Sequence, residues 1–176
     1  MSSLQEILQI AKSINDDIFD FERTSGFSYS NDQIYNDEKC SFNELITNKS
    51  LRKKTRKLFM DGHHARAVEE AYKLIDNFVK KKSDLLATPY TGSKLMNLAF
   101  SPNNPILKLN ECKTTSEKDE QTGFMQIFSG CMTGIRNPRA HETDWEDTKE
   151  HALELLVFAN YLMERAQLSE LQRNDT

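Results

Sequence analysis

Residues 134–142, GIRNPRAHE, bring Arg136, Asn137, Arg139, His141 and Glu142 within a few positions of one another. Those residue types suit cleavage of a phosphodiester without a metal. A ribose 2′-OH attacks its own phosphate when a base removes its proton and an acid protonates the leaving 5′-oxygen. Imidazole titrates where either task is open to it. Negative charge then grows on the non-bridging oxygens, and a guanidinium answers it with fixed, paired donors. A neutral amide orients the phosphate or the imidazole. Arg136, Asn137 and His141 supply these three parts, with Arg139 and Glu142 in support. One copy offers a single imidazole, so a C2 dimer bringing two copies together belongs to this reading. Spacing alone is a loose signal, because Arg56 and His63 fit a slightly longer gap. The same residues also suit a plain helix junction, with Arg136 as a C-cap or carboxylate partner and His141 as a cap.

Other chemistry finds less support in the residues. His63 and His64 are adjacent and point different ways on a helix, which makes a poor metal pair. Asp61, His63, His141 and Glu142 follow no ligand spacing, so no metal and no cofactor are expected. Cys40, Cys112 and Cys131 form no C-x-x-C pair, and Cys131 sits among apolar neighbours as a buried thiol would. No phosphate-binding glycine loop and no G-x-S-x-G stretch occur. A net charge of −4 excludes a general nucleic-acid coat protein. It leaves room for a local basic site in KSLRKKTRK, where Arg52, Lys53, Lys54, Arg56 and Lys57 either guide an RNA strand or form a solvated face.

The elements that must position these residues read as helices. The 176 residues suit one domain with a terminal appendage, and 38% apolar with 28% charged residues fits a helix-rich chain. Leu4, Ile7, Leu8, Ala11, Ile14, Ile18 and Phe21 predict an amphipathic helix that packs on the body or recruits a partner. Residues 23–40 read as a loop. Ser41 with Glu44 predicts a capping box and a helix to about Met60, with a polar middle where it frays or breaks. Ala67, Val68, Ala71, Tyr72, Ile75, Phe78 and Val79 form one helical stripe from His63 to about Leu86. Residues 94–100 form a short helix or turn, and two prolines keep 101–110 irregular. Glu117, Asp119 and Glu120 precede another helix through Ile135, and Pro138 predicts a kink or restart near Asn137. Thr143 or Asp144 caps the last helix, whose apolar face takes in Trp145, Leu155, Leu156, Phe158, Ala159, Leu162 and Met163. Strands are not expected. No apolar run approaches the roughly 18 residues of a membrane span, and a reducing, cytoplasmic setting is the default.

Four ordered blocks carry a resemblance: DGHHARAVEEAYKLIDNFVKKKS (61–83), GSKLMNLAFSPNNPILKLN (92–110), SEKDEQTGFMQIFSGCMTGIRNPRAHE (116–142) and ALELLVFANYLMERA (152–166). Together they resemble the Ymh-type branch of the HEPN superfamily. The resemblance implies an all-α, HEPN-like helical bundle that dimerises and, in many members, cleaves RNA without a metal. The expected products carry a 2′,3′-cyclic phosphate and a 5′-hydroxyl. The superfamily's Arg–polar–His pattern matches Arg136, Asn137 and His141 residue by residue. Some relatives of that kind carry a tyrosine two residues past the histidine, which an antitoxin modifies; here Thr143 stands there, so that control does not carry over. The expectation is a homodimeric endoribonuclease in phage defence or a toxin–antitoxin role, with an antitoxin or defence-system partner. The competing expectation is a non-catalytic RNA- or nucleotide-binding dimer acting as an adaptor. The expected organisation is a helical extension over 1–56, the helical domain over 57–170 and a tail over 171–176.

Overall fold

In the computed structural model, residues 41–172 are described, and the helix predicted over 4–21 and the loop over 23–40 lie outside them. The described residues are predominantly helical. A helical turn over 41–45 leads into α1 (Lys49–Met60), followed by α2 (His64–Lys82), α3 (Gly92–Ala99), α4 (Thr115–Cys131), a π-helical turn (Met132–Arg136), α5 (Asn137–His141) and α6 (Lys149–Leu168). Two two-residue strands, β1 (Leu107–Lys108) and β2 (Glu170–Leu171), pair antiparallel.

α2 is the central helix. Val68, Ala71, Tyr72, Ile75 and Val79 recur at helical spacing and are fully buried, so one stripe faces neighbours along the helix's length. α1 and α6 pack against it, and α3 and the π-helical turn meet it further round. α6 contributes Ala152, Leu156, Ala159, Leu162, Met163 and Ala166. The small alanines let α6 approach α2 closely, and Tyr72 closes the seam by donating to the Leu155 carbonyl at 3.2 Å. Truncating a residue such as Ile75 here removes about 2–5 kcal/mol of stability.

The structure corrects the sequence reading at three places and sharpens it at a fourth. Ser41 is already helical rather than a cap; the expected break does occur, the first helical stretch ending before Ile46, and the second runs to Met60 as read. α1 begins afresh on Asn48, whose side chain accepts from the backbone N–H groups of Ser50 and Leu51. Asn48 is itself held, because its own N–H donates to Asn160 on α6 at 2.9 Å. Secondly, strands do occur. A two-residue ladder shows no period in the sequence; it forms because α6 delivers Glu170 and Leu171 beside residues 107–108. The buried amide of Gln121 organises that irregular segment, donating to the Phe100 and Leu107 carbonyls and accepting from Leu109.

At Pro138 the expected restart is found: α5 begins at Asn137 with Pro138 in its first turn, and Arg136 and Asn137 keep helical dihedrals, so the run stays continuous. The π-helical turn has the Asn137 N–H donating to the Met132 carbonyl. That wider turn relieves the clash a proline ring makes with an α-turn ahead of it. The third correction is that α6 is capped by Thr148, which accepts from His151, rather than by Thr143 or Asp144. Trp145 therefore lies ahead of the helix and is 41% exposed, and Phe158 faces outward too.

Candidate functional site around α5

α5 is only five residues long, so its orientation depends on what grips it. The grip is Arg139. Its Nε and Nη2 donate to the two carboxylate oxygens of Asp147, each at 2.6 Å, and its Nη1 donates to the Ile135 carbonyl at 2.7 Å. Both side chains are buried, 3% and 2% exposed. A fork-to-fork pair of this kind fixes position and angle together. It ties α5 to the segment 142–148, and that segment leads to the start of α6.

Asp147 gathers more than Arg139. His151 Nδ1 lies 3.2 Å from its Oδ1, and the Trp145 side chain hydrogen-bonds to it as well. Burial pushes the Asp147 carboxyl up, but Arg139's hydrogen bonds and charge, the Trp145 bond and His151 together outweigh it. The carboxyl is held below its ordinary range.

The opposite side of α5 carries the residues whose types suit chemistry. Asn137 and His141 stand four positions apart and share one helix face, and Arg139 lies across the axis from them. Arg136 Nη1 donates to the Asn137 side-chain oxygen at 3.0 Å, which draws the guanidinium toward that face. His141 is exposed, and Arg136 and Asn137 are half-buried. Among the described residues neither a hydrogen bond nor an ion pair holds the His141 ring. The structure thus groups Arg136 with Asn137, sets His141 one helical turn on from Asn137, and holds Arg139 as an internal brace that also borders the groove of His141. Glu142 follows α5 directly and is exposed.

Behind Arg136 lies a carboxylate the sequence did not single out. Asp76 on α2 accepts the Gly92 N–H at 2.6 Å, so it holds the N-terminus of α3. Gly92 has a φ of +59°, where a side chain is strained, and it sits close to Met132 of the π-helical turn. Burial pushes the Asp76 carboxyl up, and the Gly92 bond and the charges of Arg136 and Lys80 only partly offset this.

His141 opens on a groove of about 300 Å³ between α2 and α5, bordered by Arg66, Glu69, Arg139, Glu142 and Trp145. A second groove, of about 450 Å³, shares Ala65, Arg66 and Trp145 and carries His63, His64 and Asp147. All four histidines of the chain therefore stand at one end of the bundle, a convergence the sequence does not reveal. Among the described residues no group of three or more His, Cys, Asp or Glu is placed to hold a metal ion. Cys131 is buried, and burial pushes its thiol up to about 11, so it stays protonated and inert near neutrality.

The basic run on α1 is largely engaged with its own surroundings. Arg52 donates to the Asn43 carbonyl and Arg56 to the Asn43 side chain. Lys54 pairs with Glu70 at 3.1 Å and Lys57 with Asp61. Lys53 points to solvent. These contacts are not shared with α5, so the run and the α5 face are separate features. Arg66, Glu69, Asp76, Asp147 and His151 carried no recognisable signal in the sequence, and Trp145 was read only as part of a buried helix face. Each depends on partners far away in the chain.

Set against known proteins, residues 47–166 match a family model described as a protein of unknown function, Hypoth_ymh. No curated protein and no solved structure matches the chain. Among the described residues no helix is long and apolar enough to cross a membrane.

Proposed function

The chain belongs to the Hypoth_ymh family, and since that description names no activity, we propose from its chemistry that it is a metal-independent endoribonuclease of HEPN type. The working unit is a homodimer whose composite site takes Arg136, Asn137 and His141 from each copy. The observation that carries the reading is the division of α5 into a clamped side and an open one. Arg139 is locked to Asp147 inside, while an exposed imidazole with no partner among the described residues stands on the face of Asn137. A proton carrier has to be accessible and unengaged before substrate arrives, and this arrangement meets that condition.

In the proposed reaction His141 takes the proton of a ribose 2′-OH, which attacks the adjacent phosphorus. His141 of the second copy protonates the departing 5′-oxygen. Arg136 neutralises the charge that grows on the non-bridging oxygens, and its bond to Asn137 keeps the guanidinium on the side of the imidazole. The products are a 2′,3′-cyclic phosphate and a 5′-hydroxyl, so phosphorus exchanges one oxygen ester for another and no water is consumed. A role in phage defence or as a toxin with a neutralising partner follows from the resemblance in the sequence blocks.

The test is incubation of purified protein with RNA in EDTA, with end-group analysis of the fragments. Cleavage that persists in chelator and is lost in folded Arg136→Ala and His141→Ala supports the reading. Equal cleavage by those variants sinks it. Saturable RNA binding with no product at high protein concentration supports a non-catalytic binding dimer instead.

A further inference from the structure

We propose that Trp145 is a stacking platform for a nucleobase bearing an exocyclic amino group, in a single strand of RNA passing His141. The identification of the strand rests on the nuclease reading; the platform itself does not. Trp145 is the chain's sole tryptophan and is 41% exposed. An indole in that position usually waits to be covered, yet this one is anchored on two sides. Its N–H is spent on the Asp147 carboxylate, and the Arg139 guanidinium carbon lies 5.4 Å from its ring centroid. Arg139 and Asp147 are themselves locked together inside the fold. The ring is therefore oriented before any ligand arrives, so stacking on it orders no side chain.

The surroundings point to a base rather than a phosphate. Trp145 borders the groove that holds His141, the groove that holds His63 and His64, and a third of about 480 Å³ with Pro138, Glu142 and Asp144. The ring is the wall common to all three. Around it stand the exposed carboxylates of Glu142, Asp144 and Glu146, while Arg66 is drawn off by Glu69 and Glu70. Those acids repel phosphate but accept hydrogen bonds from the amino groups of cytosine, adenine or guanine. Uracil offers a carbonyl at the corresponding edge and meets the same acids unfavourably. Base stacking on aromatic rings is the usual way proteins hold single-stranded RNA.

The sole tryptophan makes the test direct. Wild-type protein is titrated with 2′-O-methyl hexacytidylate, which cannot be cleaved through a 2′-OH, and indole emission is read. The proposal expects saturable quenching, with 2′-O-methyl hexauridylate several-fold weaker and cytidine monophosphate weaker still. In anisotropy with a labelled strand, Trp145→Ala weakens binding about tenfold and Trp145→Phe recovers most of it, both variants being compared at a temperature where circular dichroism shows them folded. Absence of quenching overturns the platform. Equal binding of hexauridylate overturns the amino-edge recognition, and equal binding of the monophosphate overturns the strand. Emission that follows protein concentration rather than RNA assigns the ring to a subunit contact and also overturns it. Quenching without cleavage of unmodified RNA removes the nuclease reading and leaves the platform. Cleavage by Trp145→Ala at unchanged KM, with no quenching in the wild type, does the reverse.

Discussion

Arg136 and Arg139 stand three residues apart on one continuous helical run, and their circumstances are opposite. Arg139 is buried, with both ends of its fork on Asp147 and a further donor on a backbone carbonyl. Arg136 is half-buried, and its hydrogen bond goes to the neutral side chain of Asn137. The first guanidinium has satisfied its charge internally on Asp147. The second keeps its charge uncompensated at hydrogen-bonding distance, which is the state a phosphate-binding arginine needs. Two arginines of the same stretch thus divide into a brace and a candidate site, and the pairing decides which is which.

Breaking the brace should give the largest effect. Arg139→Ala strands the Asp147 carboxylate inside the fold, and chemical denaturation should show a loss of about 3–5 kcal/mol. Arg139→Lys should recover only part of this, since an ammonium cannot reproduce the fork. If Arg139→Ala unfolds like wild type, the division between the two arginines is wrong. The next effect is on activity. His141→Ala should reduce RNA cleavage about 10²-fold or more while leaving the melting transition within about 0.5 kcal/mol of wild type. Arg136→Ala should show the same split, and loss of stability in parallel with activity would erase the contrast with Arg139.

A third expectation is the acid limb of the stability curve. The folded Asp147 carboxyl is held below its unfolded value, so its contribution is complete above the ordinary carboxylate range. It is lost as pH falls through the folded value. Asp147→Asn should therefore be less stable than wild type near neutrality, with the gap closing in acid. Asp76 supplies the opposite sign and the smallest effect. Its carboxyl is raised by burial, so its ionisation opposes folding as pH rises past the unfolded value. Asp76→Asn, which keeps an oxygen for the Gly92 N–H, should gain slightly on wild type between acid and neutral pH. Urea titrations across that interval measure both.

The long amphipathic stretches were legible because burial repeats with the helix. The stripe from Ala67 to Val79 appears in α2 as read, and Glu117, expected near a helix N-terminus, lies in the first turn of α4, where it also closes a capping box with Thr114 that the sequence reading did not name. Trp145 shows where pattern misleads. An isolated large apolar residue three positions before a helical run was assigned to its buried face, but Thr148 starts the helix and leaves the indole outside. Pro138 shows another limit, since the sequence marks the stress but not its relief by a π-helical turn.

By itself the sequence determined the all-helical class, the buried stripes and the candidate triplet Arg136, Asn137 and His141, because each is local and repeats or adjoins along the chain. Only the tertiary structure decided which arginine is spent, that Asp147 is its acceptor, and that an indole stands open beside His141. Charge satisfaction and exposure are properties of neighbours in space. No spacing within the chain specifies that α5 turns Arg139 inward onto Asp147 and leaves His141 facing out.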